Sequence, residues 1–355
     1  MSIAYNKFVR NNGLDIVRVL AVLFVSFAHF TFTAHHRTNI SGINNSVVIV
    51  ADKEWWLLVP DEFLSFYFNT YLGTIGVTLF FITTGYLMPL MMQRYTRKEF
   101  LLNRVFRIFP TLIMSVFLTY IFLLWYGKSE FTLSNFWHSI FLTFQFWGVE
   151  AIIPVLWTLV IEMFFYMLCF CIGVFTQKKL LIAMGSLFVF SLMAHFWHFG
   201  VFEYSIKYIL IILVGSALYF LHINIEKKYK NILMLILAIA LWFVVFFITE
   251  PASAYSKAST IILSIGIVMF FLFYSFKPMP FIKLFADIVY PMYLLHFTFG
   301  LATMIWVRTF LSDNAYIMIL SAYCMVFALS LLVHYGVEKP FYFYIKQKLK
   351  GGMNL

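Results

Sequence analysis

Long apolar stretches separated by short polar ones dominate this chain, and their length is more informative than their periodicity. A helix of roughly 20 mainly apolar residues spans a bilayer. Ten such runs are read, at about 16–34, 64–91, 108–126, 153–175, 180–198, 204–222, 231–249, 257–276, 284–305 and 315–336. A further stretch, about 136–148, is too short to cross and is expected to lie at the interface or to re-enter. The second run is long enough to tilt or kink, and Pro89 near its end fits a break. The first run is expected to be a membrane helix rather than a secretory leader. Asp15 and Arg18 interrupt its start, and no persuasive small-residue cleavage site follows.

Composition turns that pattern into a class. Of 355 residues, 63% are hydrophobic and only 11% charged, with a mean hydropathy of +0.90. A soluble domain carries roughly 25% charged residues. There is too little polar surface to coat a water-soluble globule, which excludes a soluble enzyme, a disordered chain and a fibrous repeat. The expectation is an all-α integral membrane protein of about ten transmembrane helices. It reads as a single membrane domain over 1–355, with no internal repeat, low-complexity tract or appended soluble domain.

The net charge of +10 would suggest nucleic acid on a soluble domain. Here it is explained by loops. With the N-terminus cytoplasmic, 18 Lys and Arg fall on the cytoplasmic side against 6 outside, and Arg18 sits within the first helix. The positive-inside rule then puts both termini in the cytoplasm. Cys169, Cys171 and Cys324 all fall in apolar runs and read as small packing residues, with neither a disulfide framework nor a metal site expected. The largest exterior segment, about 35–63, mixes His35, His36, Asp52, Glu54, Trp55, Trp56, Asp61 and Glu62. Such a mixture suits carbohydrate contact, but Trp pairs beside a membrane are more often interfacial anchors.

Ionisable residues inside spans cost a few kcal/mol on insertion scales and mark a function or a pairing need. Arg18 and His29 are eleven positions apart, so they share one helix face with His29 about 16 Å further in. A guanidinium near the entrance suits an anionic ligand, and an imidazole at depth can take a proton from a hydroxyl. The plain alternative is an arginine reaching the headgroups and a histidine bonded to a neighbouring helix. Thr83-Thr84-Gly85 forms a small polar notch among bulky residues, read as close helix packing or as direct chemistry. Arg104 and Arg107 share a face at the start of the third span and suit a pyrophosphate, or serve as ordinary topology-setting charge. Glu162 lies about nine residues inside the fourth span and needs a partner, which could be His29, an arginine or a polar substrate group. In the ninth span Tyr293 and His296 share a face, and Pro291 frees a backbone carbonyl nearby. His195 and His198 read as part of an interfacial aromatic belt.

Six of these elements occur in a fixed order. They are Leu14-Asp15-x-x-Arg18 leading to His29, Phe80-Phe81-Ile82-Thr83-Thr84-Gly85, Arg104-x-x-Arg107-x-x-Pro110, Trp157-Thr158-Leu159-x-x-Glu162, Tyr290-x-x-Tyr293-Leu294-x-His296 and Val337-Glu338-Lys339-Pro340-Phe341. Together they resemble the acyltransferase 3 family, bacterial membrane proteins that move acyl groups, most often acetyl, onto surface glycans. The resemblance covers nearly the whole chain. It implies His29 as the catalytic group, Arg104 and Arg107 at the acyl donor, and Glu162 as the acidic member of the Trp–Leu–Glu element. Thr84 stands where a serine is common and Pro291 where a small hydroxyl residue is common. The first change keeps the hydroxyl, while the second alters the ninth helix and weakens any role carried over to Tyr290.

The resulting expectation is an acetyl-CoA-dependent O-acyltransferase of the bacterial inner membrane, with no metal. Its partners would be acyl-CoA, an envelope or lipid-linked glycan and membrane lipid, not nucleic acid. His29 and Glu162 are the catalytic candidates, Arg18, Arg104 and Arg107 the donor-binding ones, and Thr84, Tyr293 and His296 the substrate-binding ones. Two alternatives stand beside it. One is a transporter or flippase of a lipid-linked glycan using the same residues as a polar pathway; the other is a non-catalytic assembly partner.

Overall fold

Each apolar run forms a helix, and polar side chains fix where several begin. The computed structural model describes residues 11–33, 39–40, 43–44, 59–128, 130–224 and 227–351. Helix α1 (Asn12–Ala28) starts where the Asn11 side chain accepts from the Leu14 backbone N–H at 3.1 Å, and it continues into a π-helical turn, His29–Thr33. A two-residue antiparallel pairing of β1 (Asn39–Ile40) with β2 (Ile43–Asn44) follows. Of the long exterior segment, His35, His36, Asp52, Glu54, Trp55 and Trp56 lie outside the described residues, as do Lys7, Arg10, Arg37 and Lys53. Asp61 and Glu62 belong to α2 (Val59–Phe68).

The second predicted run is therefore two helices. Helix α2 ends at Asn69, whose φ of 48° is left-handed, and α3 (Leu72–Arg94) starts three residues later. The buried Asp61 carboxylate accepts from the Leu72 N–H at 2.6 Å and so caps α3 from outside it. Burial raises the Asp61 carboxyl above the usual carboxylate range, and the Leu72 bond opposes that rise. The break falls here rather than at Pro89, which lies within α3 without ending it.

A capping box of Thr96 and Glu99 opens α4 (Arg97–Trp125). The short apolar stretch then folds back on itself as α5 (Leu133–Ile140) and the single turn α6 (Phe144–Trp147), turning at Leu142, φ 56°. Ser139 Oγ accepts from the Ile152 N–H at 2.9 Å and ties this element to the strand of chain that leads into α7 (Leu156–Ile172). The remaining elements are α8 (Gln177–Phe196), α9 (Val201–Ile223), α10 (Lys228–Thr249), α11 (Pro251–Phe273) and α12 (Pro280–Leu295). A π-helical turn, His296–Gly300, joins α12 to α13 (Leu301–Phe310). Helix α14 (Ala315–Val333) passes through a third such turn, His334–Glu338, into α15 (Lys339–Gly351).

Nine helical stretches among the described residues are long and apolar enough to cross a membrane. The fourth predicted run is the exception in length: α7 has 17 residues, at the lower limit for spanning. The protein is an all-α, multi-pass membrane protein. Among the described cysteines Cys169 is buried while Cys171 and Cys324 face outward. His195 does more than sit in an aromatic belt, since its Nδ1 lies 2.8 Å from Glu203 Oε1.

Helix α3 runs between α1 and α9, and glycines set how closely they approach. A Cβ on Gly85 would collide with the Ile212 carbonyl, and one on Gly215 with the Ile82 carbonyl. A Cβ on Gly76 would come within 2.6 Å of the Ala21 carbonyl oxygen. Close backbone approach of this kind is how helices associate where lipid removes the hydrophobic drive between them. Ser216 Oγ adds a 2.8 Å bond to the Gly85 carbonyl. Gly85→Ala and Gly215→Ala should each lower stability, by about 1–3 kcal/mol for an overpacked site. Gly185→Ala and Gly266→Ala, where an added Cβ meets nothing within 4 Å, should not. Thermal unfolding of the four variants in one lipid environment checks this.

Candidate active site

Three cavities follow one another through the bundle. The first, a vestibule of about 850 Å3, is lined by the start of α1, the end of α3 and the α14–α15 turn. The second, about 130 Å3, shares Arg18, Leu87 and Arg107 with the vestibule. The third, about 650 Å3, shares Val77 and Tyr293 with the second. Arg18 therefore stands at the first junction and Tyr293 at the second. His29 lines the third cavity, one to the other along α1 as the helical spacing of Arg18 and His29 requires.

The inner cavity gathers six of the eight residues selected from sequence. Arg18 comes from α1, Thr84 from α3, Arg104 and Arg107 from α4, Glu162 from α7 and Tyr293 from α12. Glu162 accepts from Thr84 Oγ1 at 3.1 Å and from the Tyr166 hydroxyl at 2.9 Å. Thr84 thus acts on the carboxylate, and the hydroxyl it retains in place of serine is the atom in use. Arg104 is 5% exposed and its Nη2 donates to Asn103 Oδ1 at 3.1 Å. Its guanidinium lies 5.8 Å from the ring centroids of both Phe100 and Tyr166. Arg104 and Glu162 form no ion pair with each other, and Arg104 Nε is buried without a hydrogen-bond partner. A buried guanidinium donor left over by the protein is an opening for an oxyanion. Tyr290 donates to the Ile108 carbonyl at 3.1 Å, so its hydroxyl braces α12 against α4 despite the neighbouring Pro291.

His29 is placed differently from the sequence expectation. Glu162 does not bond it. Its Nδ1 lies 2.8 Å from Nε2 of His296, with the two rings stacked at 5.1 Å and 6°. His296 is fully buried, does not line the cavity, and its Nδ1 lies 2.7 Å from the Tyr293 carbonyl oxygen. A carbonyl only accepts, so His296 Nδ1 carries the proton and its Nε2 is the acceptor. His29 Nδ1 must then donate, which leaves Nε2 as the basic nitrogen of neutral His29. His296 lies behind His29, away from the cavity that His29 lines.

Two features escaped the sequence reading. His-Phe-Thr-Phe occurs twice, at 29–32 and 296–299, and each copy opens a π-helical turn. Such turns concentrate at functional sites. The chain does hold an internal repeat, four residues long, and its two copies meet. Tyr166 was the second omission, although it follows Glu162 by one helical turn.

The inner cavity thus lies among the buried Arg104 and the half-buried Arg18 and Arg107, and the stacked imidazoles of His29 and His296 lie beyond it. The family model described as an acyltransferase domain, the acyltransferase 3 family, matches residues 11–336, and the chain belongs to that family. Neither a curated protein nor a solved structure matches it.

The bond order from Tyr293 through His296 to His29 makes a spectroscopic prediction. Nitrogen NMR on histidine-labelled protein, in mildly alkaline buffer, should show His29 protonated at Nδ1 and bare at Nε2. His296→Phe should mix the two tautomers of His29 while leaving the helical content unchanged.

Proposed function

We propose that the protein is an acyl-CoA-dependent O-acyltransferase, with acetyl as the donor group and a cell-envelope glycan as acceptor. The observation that supports it most is the order of adjoining cavities, from a vestibule lined by Arg18, Arg94, Arg107 and Lys339 together with Asp15, Asp287 and Glu338, past the under-satisfied Arg104, to His29. The six-element sequence pattern and the family membership agree with it.

In this reading the vestibule end faces the cytoplasm, because the loops at that end carry Arg94, Arg97, Lys98 and Lys227 to Lys230. Both termini are then cytoplasmic, and α7 is the tenth span of an inner-membrane protein. Arg18, Arg104 and Arg107 hold the phosphates of the donor, and Arg104 Nε gains the acceptor it lacks. Glu162, fixed by Thr84 and Tyr166, balances the arginine charge rather than orienting His29. Tyr293, at the junction of the two cavities, is positioned by a 3.0 Å bond to Thr158 Oγ1 and contacts whatever crosses.

His29 Nε2 takes the proton of the acceptor hydroxyl as its oxygen forms an ester bond with the acyl carbonyl carbon. The thioester C–S bond breaks, and His29 returns the proton to the departing sulfur. His296 holds the imidazole in the tautomer that this needs.

Transfer of radiolabel from acetyl-CoA to extracted envelope glycan, in membranes of matched expression, tests the reading. His29→Ala should lose about 100-fold or more, the range for a general base. Arg104→Lys should raise the donor KM, because an ammonium cannot supply the fork. His296→Ala should lower kcat with little effect on either KM. Equal label with wild type and His29→Ala would remove His29 from the chemistry. Movement of an unmodified acceptor, with no label in any sample and any acyl donor, would favour the flippase.

A further inference from the structure

The outer cavity contains an ammonium without a counter-charge and an indole N–H without an acceptor. On one side Trp157, Tyr204 and Tyr208 form an aromatic wall, with ring centroids 5.7, 5.5 and 4.8 Å apart pairwise. Across it stand His29 and Lys257. Lys257 is half-buried on α11. Its Nζ donates to the Tyr208 hydroxyl at 3.2 Å and lies 5.5 Å from the Tyr208 and 5.9 Å from the Phe246 ring centroids. Among the described residues no carboxylate pairs with it.

Lys207 shows what the same end of the bundle does with a lysine that has a structural role. It is 4% exposed, and Glu203 and Glu250 lie 3.6 and 3.3 Å from its Nζ. Glu203 and Glu250 both go to Lys207. An ammonium facing an apolar cavity without a counter-charge is costly. Trp242 supplies a second, independent sign. It is 1% exposed, lines the same cavity, and its Nε1–H has no hydrogen-bond partner. Buried indole N–H groups ordinarily have one. Phe246 connects the two sites, 5.1 Å from the Trp242 ring and 5.9 Å from Lys257 Nζ.

We infer that this cavity is a subsite for an anionic sugar, with the ring face on the Trp157–Tyr204–Tyr208 wall and its carboxylate or phosphate accepting from Lys257 Nζ and Trp242 Nε1. The inference rests on the acyltransferase reading and deepens it, since the acceptor presented to His29 is then an acidic glycan. Lys257 is the residue that selects it. A lipid headgroup would satisfy the same ammonium from outside, but Lys257 lines a cavity shared with residues of α1, α3, α7, α9, α10 and α12.

Binding can be read without acyl transfer, using tryptophan fluorescence of the full chain in phosphatidylcholine nanodiscs. Methyl glucuronide and glucose 1-phosphate should bind about tenfold or more tightly than methyl glucoside, as expected for one charge-assisted hydrogen bond. Whichever of the two binds better identifies the anion as carboxylate or phosphate. Lys257→Gln should abolish the preference, and Lys257→Arg should keep it. Equal affinity of the wild type for charged and neutral sugars would overturn the proposal, whether or not the variants fold. So would a preference that survives in Lys257→Gln, or one that vanishes when phosphatidylglycerol replaces phosphatidylcholine. A wild type that shows no anion preference while labelled acyl transfer is intact would sink this proposal alone. A retained preference with no acyl transfer to any sugar would sink the transferase reading instead.

Discussion

A carboxylate and a guanidinium lie inside an apolar bundle, and neither is neutralised by the other. Each would cost a few kcal/mol to insert unaided. Hydrogen bonds to charged groups contribute about 1.5–3 kcal/mol each, so the two that Glu162 accepts are of the order needed. Those bonds come from α3 and from the next turn of α7. Gly85, beside Thr84, lets α9 pass against α3. The crossing of α1, α3 and α9 and the placement of the inner cavity are thus one arrangement. Arg104 differs from Glu162 because its needs are met only in part, by Asn103 and two ring faces. The shortfall is local and lines the cavity.

The paired imidazoles are organised by a different principle. In many hydrolytic sites a carboxylate orients the histidine and stabilises its charged form. Here a second imidazole orients His29, and a backbone carbonyl orients that imidazole in turn. Among the described residues no carboxylate hydrogen-bonds His296, and the arrangement fixes a tautomer through neutral groups.

Much of this was legible in the sequence because bilayers impose length. Ten apolar runs correspond to nine long helices and the shorter α7, and the spacing of Arg18 and His29 placed them on one face of α1 without any structural knowledge. Where the reading went astray, long-range contacts decided. The division of 64–91 follows from Asp61 reaching Leu72 and from the left-handed Asn69, neither of which interrupts the apolar run. Pro89 stays helical because proline is tolerated in membrane helices when packing re-satisfies the freed carbonyl. Glu162 was offered His29 as one of several partners, but the partner of His29 lay 267 positions away, in the second copy of the same tetrapeptide. Periodicity cannot report such a meeting, whereas comparing the chain with itself at four-residue resolution would have flagged it.

The π-helical turn at His296–Gly300 carries one residue more than an α-helical turn would, and that residue sets the phase of everything after it. Helix α13 buries Leu301, Met304 and Val307 while Trp306 and Phe310 stay exposed. Removing one residue from the turn would rotate α13 by about 100° and carry that stripe out of the core. Gly300, whose missing Cβ leaves room for the Phe30 ring, would move with it. The position of His296 relative to α13 is therefore indexed by chain length as much as by side-chain identity.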